Sequence, residues 1–216
     1  TLQTGLGRIP DAVLSALAAH RGLRLHSGLI GDGVLALIRA GALAEGPSAL
    51  VGVAIGSPAL YDALDTGHFQ FRPVSVTHDA ATLAGIDRLV TINSAMAVDL
   101  FGQVFAESGP GGFQSGPGGA SDYARGARQS AGGLRIIAMP SCAKGGSRIV
   151  APGEGPGPVS LSRFDVDCII TEHGIADLRF KTYGQRAAAL IGIAAPEHRE
   201  ALDIAWRDSA RHIQED

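Results

Sequence analysis

Apolar residues along the first half of the chain follow helical and extended spacings in turn. Val13, Leu14 and Leu17 recur on one helix face, which predicts a helix over residues 11–21 that ends at Gly22. Phe69 and Phe71 alternate with other positions, as expected for a half-buried strand. The same criteria predict further helices over 33–40 and 58–64, and strands over 23–26, 49–55 and 68–76.

The second half has short apolar runs separated by glycine-rich stretches. Strands alternating with helices predict an α/β layered fold with a parallel or mixed sheet. Within one domain over 1–216, residues 33–76 are expected to form a small inserted α/β subdomain. The remaining predicted strands are 89–93, 98–106 with a break at Gly102, 134–139 and 165–171; the helices are 121–129, 185–194 and 197–211; the loops are 109–119 and 144–158.

The composition excludes several classes of protein. The net charge is −3 and the basic residues are scattered, which argues against nucleic-acid binding. No apolar run approaches the about 18 residues of a membrane span. Cys142 and Cys168 lack metal-site spacing, so we expect a reduced, cytoplasmic protein without a metal. Because the chain opens at Thr1 without an initiator Met, an N-terminal partner domain is expected to be missing.

A glycine turn, GLGRIPD at 5–11, stands between a predicted strand and a predicted helix. Glycines let backbone N–H groups approach a ligand, and a helix start favours an anion. The turn lacks the third glycine of a dinucleotide fingerprint, and Asp11 would compete with an anion. A tight turn leading into a helix is the alternative. A nicotinamide-dependent dehydrogenase is disfavoured, because His26 and Ser27 stand where it needs an acidic residue.

Other candidate residues stand in loops and at strand ends. Three of the four residues 116–119 are glycines, which can form a nest of N–H donors for an oxyanion or a simple surface turn. Asn93 and Gln103 carry amides that can bind a ligand, although Asn93 can instead cap a turn. Lys144 either meets an anion or is solvated. Glu172, beside His173, is either half of an acid–base pair or structural.

Together these runs resemble the C-terminal half of the acetyl-CoA hydrolase/transferase family, which is related to 4-hydroxybutyrate and succinyl/acetate CoA-transferases. The resemblance implies a CoA-transferase-like α/β fold. It also implies CoA transfer between an acyl-CoA and a small carboxylate, or acyl-CoA hydrolysis, in a homo-oligomer. CoA is then a substrate, and no cofactor is tightly bound. The matching runs are GLGRIPD (5–11), LHSGLIGDG (25–33), 88–103, SGPGGASDY (115–123) and TEHGIADL (171–178).

The resemblance also assigns site residues. Transferases of the family carry a nucleophilic glutamate at the position of Gly28, and members often carry a second glutamate at the position of Ala97. The expected CoA contacts are Gly5, Leu6, Gly7, Arg8, Ile9, Asn93, Gln103, Gly116, Gly118, Gly119 and Lys144.

No neighbour of Gly28 plainly replaces the missing glutamate. His26 and Ser27 are adjacent on a strand and point to opposite faces, which disfavours a Ser–His dyad. Asp32 and Glu172 are the weak candidates for a catalytic acid. An active protein is therefore expected to hydrolyse acyl-CoA or to transfer through a ternary complex. The alternative is a degenerate module that binds CoA or associates with a subunit without catalysis.

Overall fold

The structure is a computed structural model that describes residues 1–109 and 111–214, with side chains up to Arg211. Pro110, inside the predicted loop 109–119, lies outside the described residues. The chain has a mixed α/β fold and forms two compact units. The first contains residues 1–93 and 122–135, and the second contains 94–121 and the chain from 136 onward. None of the described helices combines the length and the apolar character that a membrane crossing requires.

The secondary structure alternates between strands and helices for most of the chain. The strands are β1 Leu2–Thr4, β2 Leu25–Ile30, β3 Ala49–Ala54, β4 Phe69–Phe71, β5 Val90–Asn93, β6 Ala97–Asp99, β7 Val104–Phe105, β8 Ser108–Gly109, β9 Gly112–Phe113, β10 Leu134–Ala138, β11 Cys142–Ala143, β12 Gly146–Ser147, β13 Ile149–Val150, β14 Cys168–Thr171 and β15 Gly174–Asp177. The helices are α1 Arg8–Ala16, α2 Val34–Arg39, α3 Pro58–Ala63, α4 Val74–Thr77, α5 Ala80–Ala84, α6 Ala120–Gln129, α7 Tyr183–Gly192 and α8 Pro196–Gln214.

Five parallel strands in the order β5-β1-β2-β3-β4 form the first unit's sheet. Leu2 of β1 is in register with Leu25 of β2 on one side and with Val90 of β5 on the other. The chain therefore leaves β1 towards one side and later returns on its other side. In open parallel sheets such a reversal leaves a ligand crevice at the carboxyl ends of the two strands.

Residues 33–76 contribute α2, β3, α3 and β4 to this sheet and its core. Val51 and Leu60 are fully buried in the same cluster as Leu2, so the segment extends the first unit's core. The strand predicted over 68–76 is shorter in the structure. It ends at Phe71, and α4 follows with Pro73 at its N-cap, because proline cannot donate to a strand ladder but fits a helix start.

The second unit combines short strands with two closing helices. Residues 136–138 of β10 pair in parallel with β14, which forms an antiparallel hairpin with β15. β6 and β7 also form a hairpin, which confirms the break predicted at Gly102 (φ 91°). A capping box of Thr182 and Gln185 starts α7. The sequence pattern predicted the first strand of the β14–β15 hairpin but not the second.

Candidate functional site

In the first unit, the switch point between β1 and β5 is closed by Gly5 and Asn93. Gly5 directly follows β1, and its N–H donates to the Ile92 carbonyl at 3.0 Å. A Cβ atom at Gly5 would lie 3.0 Å from Oδ1 of Asn93. Asn93 is the last residue of β5, so the predicted glycine turn and the predicted amide do lie together. A side chain at position 5 would displace this amide.

The amide of Asn93 is paired with Gln3, which sequence reasoning missed. Gln3 Nε2 donates to Asn93 Oδ1 at 3.2 Å, and Asn93 Nδ2 donates to Gln3 Oε1 at 3.0 Å. Gln3 is buried in β1. Each amide keeps one N–H outside this pair. Asn93 therefore retains capacity for a ligand while Gln3 fixes its orientation.

Residues 5–9 form the turn into α1, which begins three residues earlier than predicted. Gly7 adopts φ 118°, a value that favours glycine, and Arg8 starts the helix. The N–H groups of Arg8 and Ile9 have no partner within the helix, because first-turn donors precede any carbonyl that could accept. Leu6 and Arg8 are exposed. The turn thus presents free donors beside the switch point.

Gly28 lies within β2, which extends beyond the predicted strand 23–26 because Ser27 and Leu29 pair with Val51 and Val53 of β3. A Cβ atom at Gly28 would lie 2.6 Å from Cε1 and 2.8 Å from Nε2 of His78, and 3.5 Å from the hydroxyl oxygen of Tyr123. The imidazole of His78 therefore fills the space of a side chain at position 28.

His78 and Tyr123 belong to a small polar network. Their rings meet edge to face with centroids 4.8 Å apart, and the Thr77 hydroxyl contacts His78 Nδ1 at 2.8 Å. His26 Nε2 donates to the Thr77 carbonyl at 3.0 Å. Burial lowers the pKa of His26, an effect partly offset by this bond. No motif pointed to His78, and Tyr123 stood in the SGPGGASDY run without an assigned role, because only folding brings the two residues to Gly28.

The Tyr123 hydroxyl is buried and forms no hydrogen bond among the described residues. Burial raises the pKa of Tyr123 above its ordinary value, and the neighbouring Thr77 hydroxyl lowers it only in part. A buried hydroxyl without a partner carries a desolvation cost. The hydroxyl is therefore a potential hydrogen-bond donor next to Gly28.

The predicted substitutes for the glutamate are engaged elsewhere. Ser27 directs its hydroxyl to the carbonyls of Leu29 at 2.8 Å and Thr4 at 3.2 Å, so no Ser27–His26 dyad forms. The carboxylate of Asp32 accepts the N–H of Ser57 at 3.0 Å and its hydroxyl at 2.8 Å, which ties the start of α3. No Asp32 atom is among the three nearest to the Cβ position of Gly28.

In the second unit, Gln103 closes the β6–β7 turn on Asp99. Its backbone N–H donates to Asp99 Oδ1 at 2.9 Å and its Nε2 donates to Asp99 Oδ2 at 2.8 Å. Asp99 is fully buried. The side-chain amide that was predicted to bind a ligand therefore already donates one hydrogen bond to Asp99. The sequence analysis did not identify this aspartate.

The other predicted loops of this unit are exposed. Gly116 and Gly118 have open space around them, and Gly118 adopts φ 56°. Gly119 directly precedes α6, which confirms a glycine loop before a helix. Lys144 adopts φ 49° beside Gly145 at φ 80° in the two-residue turn of the β11–β12 hairpin. A lysine with positive φ is unusual, and such positions often serve function.

Glu172 has a structural partner. Its Oε2 accepts the N–H of Ser141 at 2.9 Å and its Oε1 accepts the Ser141 hydroxyl at 2.7 Å. The hydroxyl bond, more than the other contacts, lowers the pKa of this carboxyl. His173 Nε2 is 3.8 Å from Oε1, too far for a hydrogen bond. The arrangement favours the structural interpretation over the acid–base pair.

Two further features lie in the second unit. A cleft of about 260 Å³ is lined by Ala97, Arg148 and the sides of the β11–β12 hairpin. Cys142, Glu197 and His198 place their ligand atoms within 4.8 Å of one another, although the cysteine spacing predicted no such cluster. Glu197 is exposed, and groups of this kind are common at surfaces without a metal.

Comparison with known proteins gives consistent matches over most of the chain. The model of the acetyl-CoA hydrolase/transferase C-terminal domain matches residues 56–205. The chain is 41% identical to 4-hydroxybutyrate coenzyme A transferase of Clostridium kluyveri, over 94% of this chain and 49% of that protein. It is 38% identical to succinyl-CoA:acetate/propanoyl-CoA:succinate CoA transferase of Fasciola hepatica, over 96% and 46% of the two chains.

Solved structures give the same picture. RipA from Yersinia pestis superposes with a TM-score of 0.88 at 33% identity, covering 97% of this chain and 49% of that one. The 4-hydroxybutyrate CoA-transferase from Porphyromonas gingivalis has a TM-score of 0.81 at 37% identity, covering 97% and 51%. The chain thus spans about half the length of the relatives it matches.

Proposed function

The chain belongs to the acetyl-CoA hydrolase/transferase family, and we propose that it forms the C-terminal half of an enzyme acting on acyl-CoA. The proposed reaction is CoA transfer to a small carboxylate or hydrolysis of the thioester. Its main structural support is the switch-point crevice, where Gly5 and Asn93 meet at the carboxyl ends of β1 and β5. Since the chain covers half of its relatives, we propose an N-terminal domain or subunit as its partner.

CoA contacts are proposed in each unit. In the first unit, the free N–H groups of Arg8 and Ile9 suit a phosphate or carbonyl oxygen, and the remaining Asn93 N–H suits an amide of the pantetheine arm. Lys144 offers a cation at an exposed hairpin turn. The full proposed set is Gly5, Leu6, Gly7, Arg8, Ile9 and Asn93 in the first unit, with Gln103, Gly116, Gly118, Gly119 and Lys144 in the second.

The chemistry proposed for this half avoids a covalent glutamyl intermediate at position 28. Gly28 has no side chain to attack a thioester, and Asp32 and Glu172 are held by Ser57 and Ser141. Water or the acceptor carboxylate then attacks the thioester directly. The N–H groups of Gly118 and Gly119 are proposed to stabilise the tetrahedral oxyanion, an effect of about 2.7–4 kcal/mol per donor in comparable sites.

A second candidate function is a non-catalytic module that binds CoA or associates with another subunit. It is supported by Gly28 and Ala97, which stand at the positions of two family carboxylates. In this case CoA would bind without release of thiol. The lining of the Ala97 cleft, which includes Arg148 and Glu154, would then serve binding alone.

The deciding experiment uses the complete protein with acetyl-CoA, in the presence and absence of a carboxylate acceptor. Release of free CoA or formation of a new acyl-CoA supports the enzyme. Binding of CoA by calorimetry without either product supports the module, and failure to bind CoA overturns both. Lys144→Asn removes the charge while keeping a residue that tolerates positive φ, and we expect weaker CoA binding with unchanged folding.

A further inference from the structure

We propose that His78 is the general base for water attack on the thioester and that Tyr123 is a hydrogen-bond donor to the developing oxyanion, next to Gly28. This inference rests on the proposed function and names residues for its hydrolytic branch. It starts from the space beside Gly28, which in this chain is occupied by an imidazole and a hydroxyl.

Both polar atoms lie close to the position of a Cβ atom at Gly28. Nε2 of His78 lies 2.8 Å, and the hydroxyl oxygen of Tyr123 3.5 Å, from the position of a Cβ atom at Gly28. Among the described residues, the buried Tyr123 hydroxyl has no partner at hydrogen-bond geometry, and His78 contacts the Thr77 hydroxyl through Nδ1. Tyr123 is 2% exposed, whereas His78 is half-buried and so reachable from solvent. An imidazole and a buried hydroxyl therefore lie together beside Gly28.

The contacts of Thr77 position the imidazole of His78. The Thr77 hydroxyl lies 2.8 Å from His78 Nδ1 and 3.5 Å from the Pro73 carbonyl. The proposal requires that Nδ1 carries the ring proton and donates it to the Thr77 hydroxyl, which leaves Nε2 with the lone pair of a base. The arrangement orients the base through a third residue, as in other activated sites.

The titratable groups near His78 include His26 on β2, Tyr123 on α6 and Asp79, the next residue. Burial lowers the pKa of His26. The carboxylate of Asp79 is bonded to Thr82. Buried Tyr123 remains a neutral phenol and can only donate or accept a hydrogen bond.

The step balances without a further reactant. Water attacks the thioester carbonyl as Nε2 of His78 takes its proton, which forms a C–O bond and an oxyanion that Tyr123 stabilises. The intermediate then collapses with cleavage of the C–S bond. The departing CoA thiolate takes the proton back from the imidazolium, leaving a carboxylic acid, free CoA and neutral His78.

The test compares His78→Asn with the matched control His68→Asn in the complete protein. Asparagine keeps a donor for Thr77 and removes the Nε2 base, while His68 is bonded to Ser48 away from Gly28. We expect kcat for acetyl-CoA hydrolysis to fall at least ~100-fold in His78→Asn, with KM within about threefold and loss of the acidic limb of the pH profile. His68→Asn should match the wild type. Added imidazole should restore part of the activity of His78→Ala.

Each alternative outcome is decisive. Hydrolysis that persists in a folded His78→Asn variant overturns the role of His78 but leaves the family function standing. Transfer to a carboxylate without any hydrolysis does the same. No turnover of acyl-CoA under either condition overturns the proposed function itself. Independently of activity, nitrogen NMR of the histidine rings should show a proton on Nδ1 of His78, and a proton on Nε2 of the neutral ring would contradict the assignment.

Discussion

His78 occupies the space that a side chain on Gly28 would need, with Nε2 2.8 Å from the position of the missing Cβ atom. Any residue other than glycine at 28 therefore requires a shift of this ring, which contacts the Thr77 hydroxyl, or of the backbone. The two positions are therefore coupled, although they belong to a strand and to the end of a short helix.

This coupling predicts the outcome of restoring a side chain at position 28. Gly28→Ala should lower the free energy of unfolding by about 1–3 kcal/mol, because it overpacks the site and breaks the His78–Thr77 contact. Gly184→Ala, in α7 with open space around it, should leave stability unchanged or slightly raised. Urea unfolding of the three proteins measures both effects.

Gly28→Glu alone should also be destabilised and gain no transferase activity. The double variant Gly28→Glu/His78→Ser should recover stability, since the smaller side chain frees the space. Equal stability of the single and double variants would show that His78 does not fill this position.

Removing the Tyr123 hydroxyl should stabilise the fold while lowering the rate of acyl-CoA hydrolysis. Tyr123→Phe deletes a buried group without a hydrogen-bond partner, and we expect about 1 kcal/mol of added stability. Acyl-CoA hydrolysis should fall about tenfold or more in the same variant. Tyr61→Phe, at a half-exposed tyrosine, serves as the control for both measurements. A loss of stability in Tyr123→Phe would indicate a satisfied, structural hydroxyl.

The Ser141–Glu172 contact should appear as a pH-dependent part of stability. Because the folded-state pKa of Glu172 is lowered, its contribution is complete above the ordinary glutamate pKa and is lost as pH falls through the folded value. Glu172→Gln should cost less than about 1 kcal/mol at pH 7, since the side chain is 53% exposed. The difference from the wild type should shrink as pH falls through the folded-state pKa of Glu172, whereas the exposed Glu200→Gln control should show no such change. A large loss of kcat would instead restore the acid–base interpretation.

Gly5→Ala tests the switch point. The new methyl group would lie 3.0 Å from Asn93 Oδ1 and disturb its pair with Gln3. We expect calorimetry to show roughly tenfold weaker CoA binding, equivalent to a loss of about 1.4 kcal/mol. Gly116→Ala, which meets no atom within 4 Å, separates steric disturbance from a general effect of replacing glycine. Unchanged binding in Gly5→Ala would remove the crevice from the site.

The sequence predicted where helices and strands lie better than where they end. Apolar periodicity located β3 and α6, and Gly102 correctly marked a break between strands. The alternation of Phe69 and Phe71 continues into Val74 and Val76, which is why the strand was predicted to be longer. In the structure β4 ends at Phe71, and the valines lie in α4, which follows Pro73. Local pattern alone does not distinguish these outcomes where a proline intervenes.

The candidate site was predictable only in part. Gly5 and Asn93 could be proposed because a glycine turn and a strand-end amide are local signals, and the structure brings the two together. The sequence assigned no role to His78 or Tyr123, because tertiary packing brings them to Gly28. Gln103 and Glu172 were recognised as polar residues, but their structural partners Asp99 and Ser141 lie on other turns or strands.

We propose that this chain supports acyl-CoA cleavage without a covalent CoA adduct. The most direct test of this proposal is intact-protein mass spectrometry of the complete protein during incubation with acetyl-CoA, alongside measurement of free thiol. We predict many equivalents of released CoA per protein and no mass increase corresponding to bound CoA. A stoichiometric protein–CoA thioester, mapped after borohydride reduction to a carboxylate such as Asp32 or Glu172, would contradict this proposal.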